Sequence, residues 1–386
     1  MKKILILNHN QENFGTYYRC LFLGRGLSSA GYKVRMLCAS GRKFDLRIRR
    51  KCLNDNFELI TLPRIKYGKY FTGQIGLRLP IMALYALFSQ YDICYAFTVA
   101  QPQVGIPALM AKAIKKKKLV VDWDDLWGNG FANEHQGQVG KILSWSERYF
   151  IKFADKITYV SELIGSEIDK LNLKIEKIKI PNGANVEEIK VLDKVDSRKE
   201  LGLNLEKKYL VSVGNTYTDS LGIMFEALEE SLQKISDLTL VLVGEGKIEE
   251  KFKSLFDKLG HNIIQTGKRP FLEIPLYLAA ADVLLLPMDD NNIERARFPM
   301  RFGDYLCAGR PIVSNAVGEV KYYLEKYNAG LASSVGEVSA LAGNIQKIIN
   351  DDYLAEEVSK NARALAQGEL NWTTVNHKLI NIFNAL

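Results

Sequence analysis

Cysteine and histidine are scarce, and neither is arranged for chemistry. The five cysteines, Cys20, Cys38, Cys52, Cys94 and Cys307, are odd in number, widely spaced and form no C-x-x-C. A disulfide framework and a cysteine zinc site are therefore not expected, and the usage suits a reducing cytoplasm. The four histidines, His9, His135, His261 and His377, stand at no metal-ligand spacing. Long apolar runs are missing as well. Residues 4–7 are too short a run for a signal-peptide core. The most apolar uncharged stretch, 79–91, falls short of the roughly 20 residues that span a bilayer. A longer uncharged stretch, 93–111, contains Gln101, Pro102, Gln103 and Pro107, which argues against a membrane span. No short repeat or low-complexity tract occurs. G-x-G-x-x-G is absent too, since Gly24-Arg25-Gly26 lies inside a helical stretch, so a nicotinamide-type fingerprint is unsupported.

What remains is an ordinary globular composition, 47% hydrophobic and 25% charged, over 386 residues. At about 150 residues per domain this length suggests two or three domains. Lys and Arg outnumber Asp and Glu by 52 to 44, a net +8 that favours anionic partners. The basic residues are spread rather than striped and no nucleic-acid motif is present, so nucleic acid is not an expected partner.

Short β-branched runs alternate with helical stretches along the whole chain. Strands are expected at 4–7, 34–38, 93–95, 119–121, 157–160 and 178–180, then at 209–213, 238–243, 263–265, 283–286 and 312–314. Their continuous apolarity suits strands buried on both faces of a parallel sheet. The helical stretches between them, such as 17–30, 225–235 and 276–281, complete βαβ units. The alternation weakens after the turn Pro181-Asn182-Gly183, where residues 187–199 mix charges densely. The reading is α/β: a Rossmann-like domain over 1–185 and a second over 186–370, enclosing a cleft. A helix over 371–386, with Trp372, Val375, Leu379, Ile382 and Phe383 at helical spacing, is expected to pack back on the first domain.

In open parallel sheets, ligands sit outside the carboxyl ends of the strands, so the loops after strands are the candidate sites. The first runs from Asn8 to Thr16. Gly15 permits close backbone approach there, and the following helix N-terminus and Arg19 suit an anion; a plain glycine loop fits equally. The second is Asp122-Trp123-Asp124-Asp125-Leu126-Trp127-Gly128. Its carboxylates can orient sugar hydroxyls or hold a divalent metal, Asp122-x-Asp124 being a short match to a metal-binding D-x-D, and its indoles can stack on sugar rings. Helix capping and core packing are the alternative. The third comprises Gly214-Asn215-Thr216-Tyr217-Thr218-Asp219-Ser220 and Gly244-Glu245-Gly246. The fourth, residues 295–311, is the most informative. Arg295, Arg297 and Arg301 surround a helix starting near Pro299, where free N–H groups, the helix dipole and guanidinium forks suit phosphates. Asp304 can accept hydrogen bonds from sugar or ribose hydroxyls. A solvated charged loop is the alternative.

At these phrases the sequence resembles the family 4 glycosyltransferases of the GT-B fold, two Rossmann-like parallel-sheet domains facing a central cleft. The resemblance rests on order and spacing: the glycine loop after the first strand, the acidic segment, Ile180-Pro181-Asn182-Gly183, Val213-Gly214, Val243-Gly244-Glu245-Gly246, Gly267, Tyr277-Leu278-Ala279-Ala280-Ala281-Asp282-Val283, and Pro299 through Pro311. It covers nearly the whole chain. It implies a retaining transferase using a nucleotide-diphosphate sugar as donor, with no metal and no other cofactor. Gly15, Gly214, Asn215, Arg297, Pro299, Met300 and Arg301 would bind the donor phosphates. Asp304, standing where the family has Glu, would bind the ribose, and Gly267, Lys268 and Arg269 would lie by the base. Asp122, Trp123, Trp127 and Glu294 would meet the sugar or acceptor, and Asp124, Asp125 and Arg301 would be catalytic.

The chain departs from the family pattern in four places. Ala296 stands where a second Glu is expected, with Glu294 two residues off. Asn215 and Ser220 stand near an expected Arg and Lys, and Asp124 or Asp125 near an expected His. The missing Arg and Lys leave a non-catalytic nucleotide-sugar binding protein as the alternative to a transferase. The expected acceptor is a glycan or lipid-linked molecule of cell-surface polysaccharide synthesis. Basic and apolar residues mix over 42–51 and 64–88, and Lys115 to Lys118 are four consecutive lysines. These suit a cytoplasmic protein resting on an anionic membrane surface, with a core helix and solvated lysines as the alternative.

Overall fold

The computed structural model describes residues 1–65, 74–131, 137–214, 218–246 and 248–386. The chain forms two compact units. The first comprises Met1–Asn182, Ala296–Phe298 and Trp372–Leu386; the second comprises Gly183–Arg295 and Pro299–Asn371.

The first unit contains strands β1 (Lys3–Gln11), β2 (Lys33–Ala39), β3 (Phe44–Asp45), β4 (Arg49–Asn54), β5 (Phe57–Leu62), β6 (Arg64–Ile65), β7 (Ile93–Phe97), β8 (Lys118–Trp123), β9 (Lys156–Tyr159) and β10 (Glu176–Lys179). Eight of them form one sheet in the order β10-β9-β8-β7-β1-β2-β5-β4, and β3 pairs with β6 apart from it. All neighbours run parallel except β4 against β5. Ile4 is paired with Val34 on one side and with Ile93 on the other. Ile4 to Leu7 and Cys94 to Phe97 are fully buried, as strands covered on both faces must be. Helix Trp372–Asn384 lies against helix Thr16–Ser29: Trp372 stacks on Phe22 at 5.0 Å, and Tyr32 Oη donates to Asn384 Oδ1 at 2.7 Å. Gly26 makes this approach possible, since a Cβ there would stand 2.0 Å from Asn376 Cγ.

The second unit contains β11 (Lys208–Val213), β12 (Leu238–Val243), β13 (Ile263–Gly267), β14 (Val283–Leu285), β15 (Ile312–Ser314) and β16 (Leu331–Ala332). They form one parallel sheet in the order β13-β12-β11-β14-β15-β16. Leu210, Leu240, Val283, Phe225, Leu228, Leu341 and Ile345 form its core.

Both sheets are doubly wound. The strand order reverses beside the first strand of each, between β1 and β7 and between β11 and β14. These switch points are where the loops separate and a crevice opens at the carboxyl ends of the strands.

Candidate functional site

In the second unit, the switch-point loops bring a glycine and an arginine together. β11 ends at Val213 and is followed by Gly214, whose φ of 115° suits glycine, and whose N–H donates to Val243 O at 2.8 Å. A Cβ there would come 3.5 Å from Arg301 Nη1. Arg301 lies in the first turn of helix Met300–Ala308, which Pro299 precedes and Gly309 closes in the left-handed conformation. Tyr305 fixes this helix to the sheet: its hydroxyl accepts from Val213 N–H at 2.7 Å and lies 3.4 Å from Leu285 O. The cationic side chain and the helix N-terminus therefore share the end of β11. Neighbouring strands end on glycines too. Gly244 and Gly267, with φ of 146° and 66°, bridge to each other, and Gly244 N–H donates to Gly267 O at 3.0 Å.

Asp304, one turn into the same helix, is half-buried. Burial and the Glu188 carboxylate push its pKa up to about 7. Lys268 and Arg269 follow Gly267 and are exposed, with Arg269 Nη1 3.9 Å from Glu273. Glu294 lies in helix Asn292–Ala296. Arg295 pairs with Asp290 at 2.6 Å on the surface. Arg297 belongs to the short stretch counted with the first unit, not with Arg301. Asn215 lies outside the described residues. Ser220 Oγ donates to Asp289 Oδ2 at 3.3 Å.

In the first unit, the acidic segment is held from several sides. Asp122 is wholly buried: Arg19 Nε and Nη2 reach it at 2.8 and 2.9 Å, and Tyr95 and Thr158 hydroxyls donate to it at 3.1 and 2.5 Å. The residue read as facing a sugar thus closes a buried ion pair, and Arg19, read as facing an anion, is its partner. Burial works against the Arg19 charge, yet Asp122 holds its pKa above the ordinary value. Asp124 accepts from Thr16 Oγ1 and Thr98 Oγ1, both at 2.6 Å, which ties the ends of β1, β7 and β8 together. Burial and Asp122 raise its pKa. Trp123 is buried, and its indole N–H donates to Asp125 O at 3.0 Å. The N–H groups of Trp127 and Gly128 donate to Glu147 at 2.9 and 2.7 Å. The Trp127 ring stands edge-on to His9 at 5.7 Å. Gly15, with φ of 56°, precedes helix Thr16–Ser29 and packs on Asn10.

Sequence reasoning passed over Thr98 and Glu147, and Thr16 entered it only as the last residue of the first candidate loop. Thr98 has a positive φ of 57°, rare for a β-branched residue, directly after β7. Among the described residues, no group of His, Cys, Asp and Glu could hold a metal ion, and no helix is long and apolar enough to cross a membrane.

Residues 18–188 match the family described as Glycosyltransferase Family 4, and residues 193–365 match Glycosyl transferases group 1. The chain belongs to the glycosyltransferases of this family and has their GT-B fold. Over 216 residues it is 26% identical to the teichuronic acid biosynthesis glycosyltransferase TuaH of Bacillus subtilis, an alignment covering 54% of this chain and 53% of that protein. It is 23% identical to phosphatidyl-myo-inositol mannosyltransferase of Mycobacterium leprae, over 55% of this chain and 54% of that one. The chain spans about half the length of these curated relatives. Among solved structures, sucrose-phosphate synthase of Thermosynechococcus elongatus superposes with a TM-score of 0.78 at 17% identity, covering 100% of this chain and 99% of that one. HepE of Anabaena, solved with UDP-glucose, superposes at 0.71 and 17% identity, covering 100% of both chains.

Proposed function

We propose that the protein is a retaining glycosyltransferase that moves a sugar from a nucleoside diphosphate sugar to a glycan or lipid-linked acceptor of cell-surface polysaccharide synthesis. The observation that carries this reading is Arg301 beside Gly214, with the N-terminus of helix Met300–Ala308, at the switch point of the second sheet. Such a place offers backbone N–H groups, a helix dipole and a guanidinium to a diphosphate. Pro299, Met300, Arg301 and Gly214 hold the phosphates. Asp304 accepts from the ribose hydroxyls, and Gly267, Lys268 and Arg269 border the base. HepE, which binds UDP-glucose, supports a donor of this class, and TuaH supports polysaccharide synthesis.

In the transfer, the bond from sugar C1 to the diphosphate oxygen breaks, and its electron pair stays on the leaving phosphate. The acceptor hydroxyl oxygen bonds C1 on the same face and gives its proton to that phosphate. Arg301 and the helix N–H groups stabilise the charge that develops, a role worth about 3 kcal/mol per lost donor. Asp124, fixed by two threonines, sets the position of Asp125, and Asp125 and Trp127 are assigned to the sugar or acceptor. On this reading transfer uses no metal and no further cofactor, and the engagement of Asp122 of the D-x-D by Arg19 supports it. Exposed Leu84, Phe88 and Ile114, with Lys116 and Lys118, support docking on the anionic inner face of the cell membrane.

A panel of sugar nucleotides tests this reading by thermal stabilisation and then by turnover. One donor should raise the melting temperature, and its sugar should appear on acceptor or water with retained anomeric configuration, undiminished by a chelator. Arg301→Ala should lower kcat by about 10²-fold or more. Stabilisation with no turnover would favour a non-catalytic binding protein.

A further inference from the structure

Among the described residues of the first unit, two buried cations, Arg78 and Arg64, have no carboxylate partner. Arg78, in helix Gln74–Phe88, is 1% exposed. Its Nη1 donates to His9 O at 2.9 Å, but Nε and Nη2 are buried without a hydrogen-bond partner. Arg64, in β6, is 8% exposed; its Nη1 makes only long contacts, 3.4 Å to Ser40 O and 3.5 Å to Gly41 O, and its Nε has no partner. His9, near the end of β1, is 7% exposed and its Nδ1 has no partner. Among the described residues, no carboxylate forms an ion pair with either guanidinium. The nearby carboxylate of Asp45 is taken by Ser40, Arg47 N–H and Arg49. Burial and the like charge of Arg64 hold the pKa of Arg78 down to about 10. Burial, then Arg78, lowers that of His9 to about 3, so the imidazole is neutral and supplies a hydrogen bond, not charge.

Two like charges buried side by side without a counter-ion are unfavourable unless something absent from the free protein compensates them. Four nitrogen atoms capable of donating, on two planar forks and a ring, match an oxyanion. Their place matters as well. β1 lies at the switch point of the first sheet, and Trp127 offers an apolar ring against His9.

We infer that Arg78, Arg64 and His9 form an oxyanion subsite in the first unit and that the acceptor carries a negatively charged group, a phosphate or a carboxylate, which binds there. The acceptor assignment rests on the transferase reading above; the subsite itself does not.

The test uses the full chain in phosphate-free buffer at constant ionic strength, without donor. Inorganic phosphate, glucose 6-phosphate, glucuronate and glucose are titrated while the melting temperature is followed. A charged ligand should raise the melting temperature of the wild type in a concentration-dependent way, and glucose should not. A stronger response to glucose 6-phosphate than to glucuronate assigns a phosphorylated acceptor, and the reverse a uronate. Arg78→Met should not respond, and without ligand it should melt no lower than the wild type, because it removes an unmatched charge. Arg64→Gln should weaken the response about tenfold or more. The inference is overturned if no charged ligand stabilises the wild type, if Arg78→Met responds as the wild type does, or if that variant melts far below it, which would make Arg78 a structural residue. Turnover plays no part in the readout, so failure of the transferase reading would leave this result intact.

Discussion

Arg19 and Arg78 are equally buried, each 1% exposed, in the same unit and toward the same end of the same sheet. Arg19 spends every nitrogen: Nε and Nη2 on Asp122, Nη1 on Asn182 Oδ1 at 2.9 Å, and Nη2 also on Ile180 O at 2.8 Å. Arg78 makes one bond. Burial alone therefore does not separate a cation that builds the fold from one kept for a ligand; counting its donors does. A matched buried pair holds chain segments more than a hundred residues apart in register, whereas an unmatched cation carries a standing cost that a partner can relieve.

The largest effect is expected where the matched pair is broken. Asp122→Ala leaves Arg19 buried without its counter-ion and should cost about 3–5 kcal/mol, read as a fall in the urea midpoint. Arg19→Met strands Asp122 and should fall in the same range. Next to the near-neutral Arg78→Met, it makes the sharpest comparison, and equal losses in the two variants would break the distinction.

Asp304 supplies an intermediate case, a carboxylate facing Glu188 instead of a cation. Its folded pKa of about 7 lies above its unfolded value of 3.8, so its contribution to stability is complete below about pH 4 and is lost as pH rises to 7. Asp304→Asn should flatten this slope in pH-dependent melts. Nucleotide binding should tighten from pH 6 to pH 8 in the wild type, because the ionised carboxylate is the better acceptor for ribose hydroxyls, and the variant should lose that dependence. The smallest effect belongs to the exposed pair Arg295–Asp290. Arg295→Ala should leave the melting temperature within experimental scatter, as solvent-screened pairs do.

The strands were legible because a parallel sheet buried on both faces leaves continuous apolar runs, and all eleven expected runs overlap observed strands. β4 was not legible. Its sequence Arg49-Arg50-Lys51-Cys52-Leu53-Asn54 is charged because it is an antiparallel edge strand with mostly exposed side chains. It was read instead as part of a basic patch. The glycine and arginine phrases of the second unit announced themselves through turn chemistry. The Arg19–Asp122 pair could not, since its members are 103 residues apart and nothing local links them. Arg78 did leave a signal that went unused: with Met82 and Ala86 it forms an i, i+4, i+8 row, and both of those are fully buried. A single cation on an apolar helical stripe is a charge that the fold buries and whose donors need partners.

The chain enters and leaves the first unit more than once. That unit is assembled from three separate pieces, one of them only Ala296–Phe298. A fragment stopping at Asn371 would strip it of Trp372, whose ring lies on Phe22, and a fragment covering only the opening 182 residues would expose that same face. Grafting the first unit of one relative onto the second unit of another would thus require four coordinated splices, at 182/183, 295/296, 298/299 and 371/372, and libraries cut at a single crossover should yield mostly insoluble chimaeras.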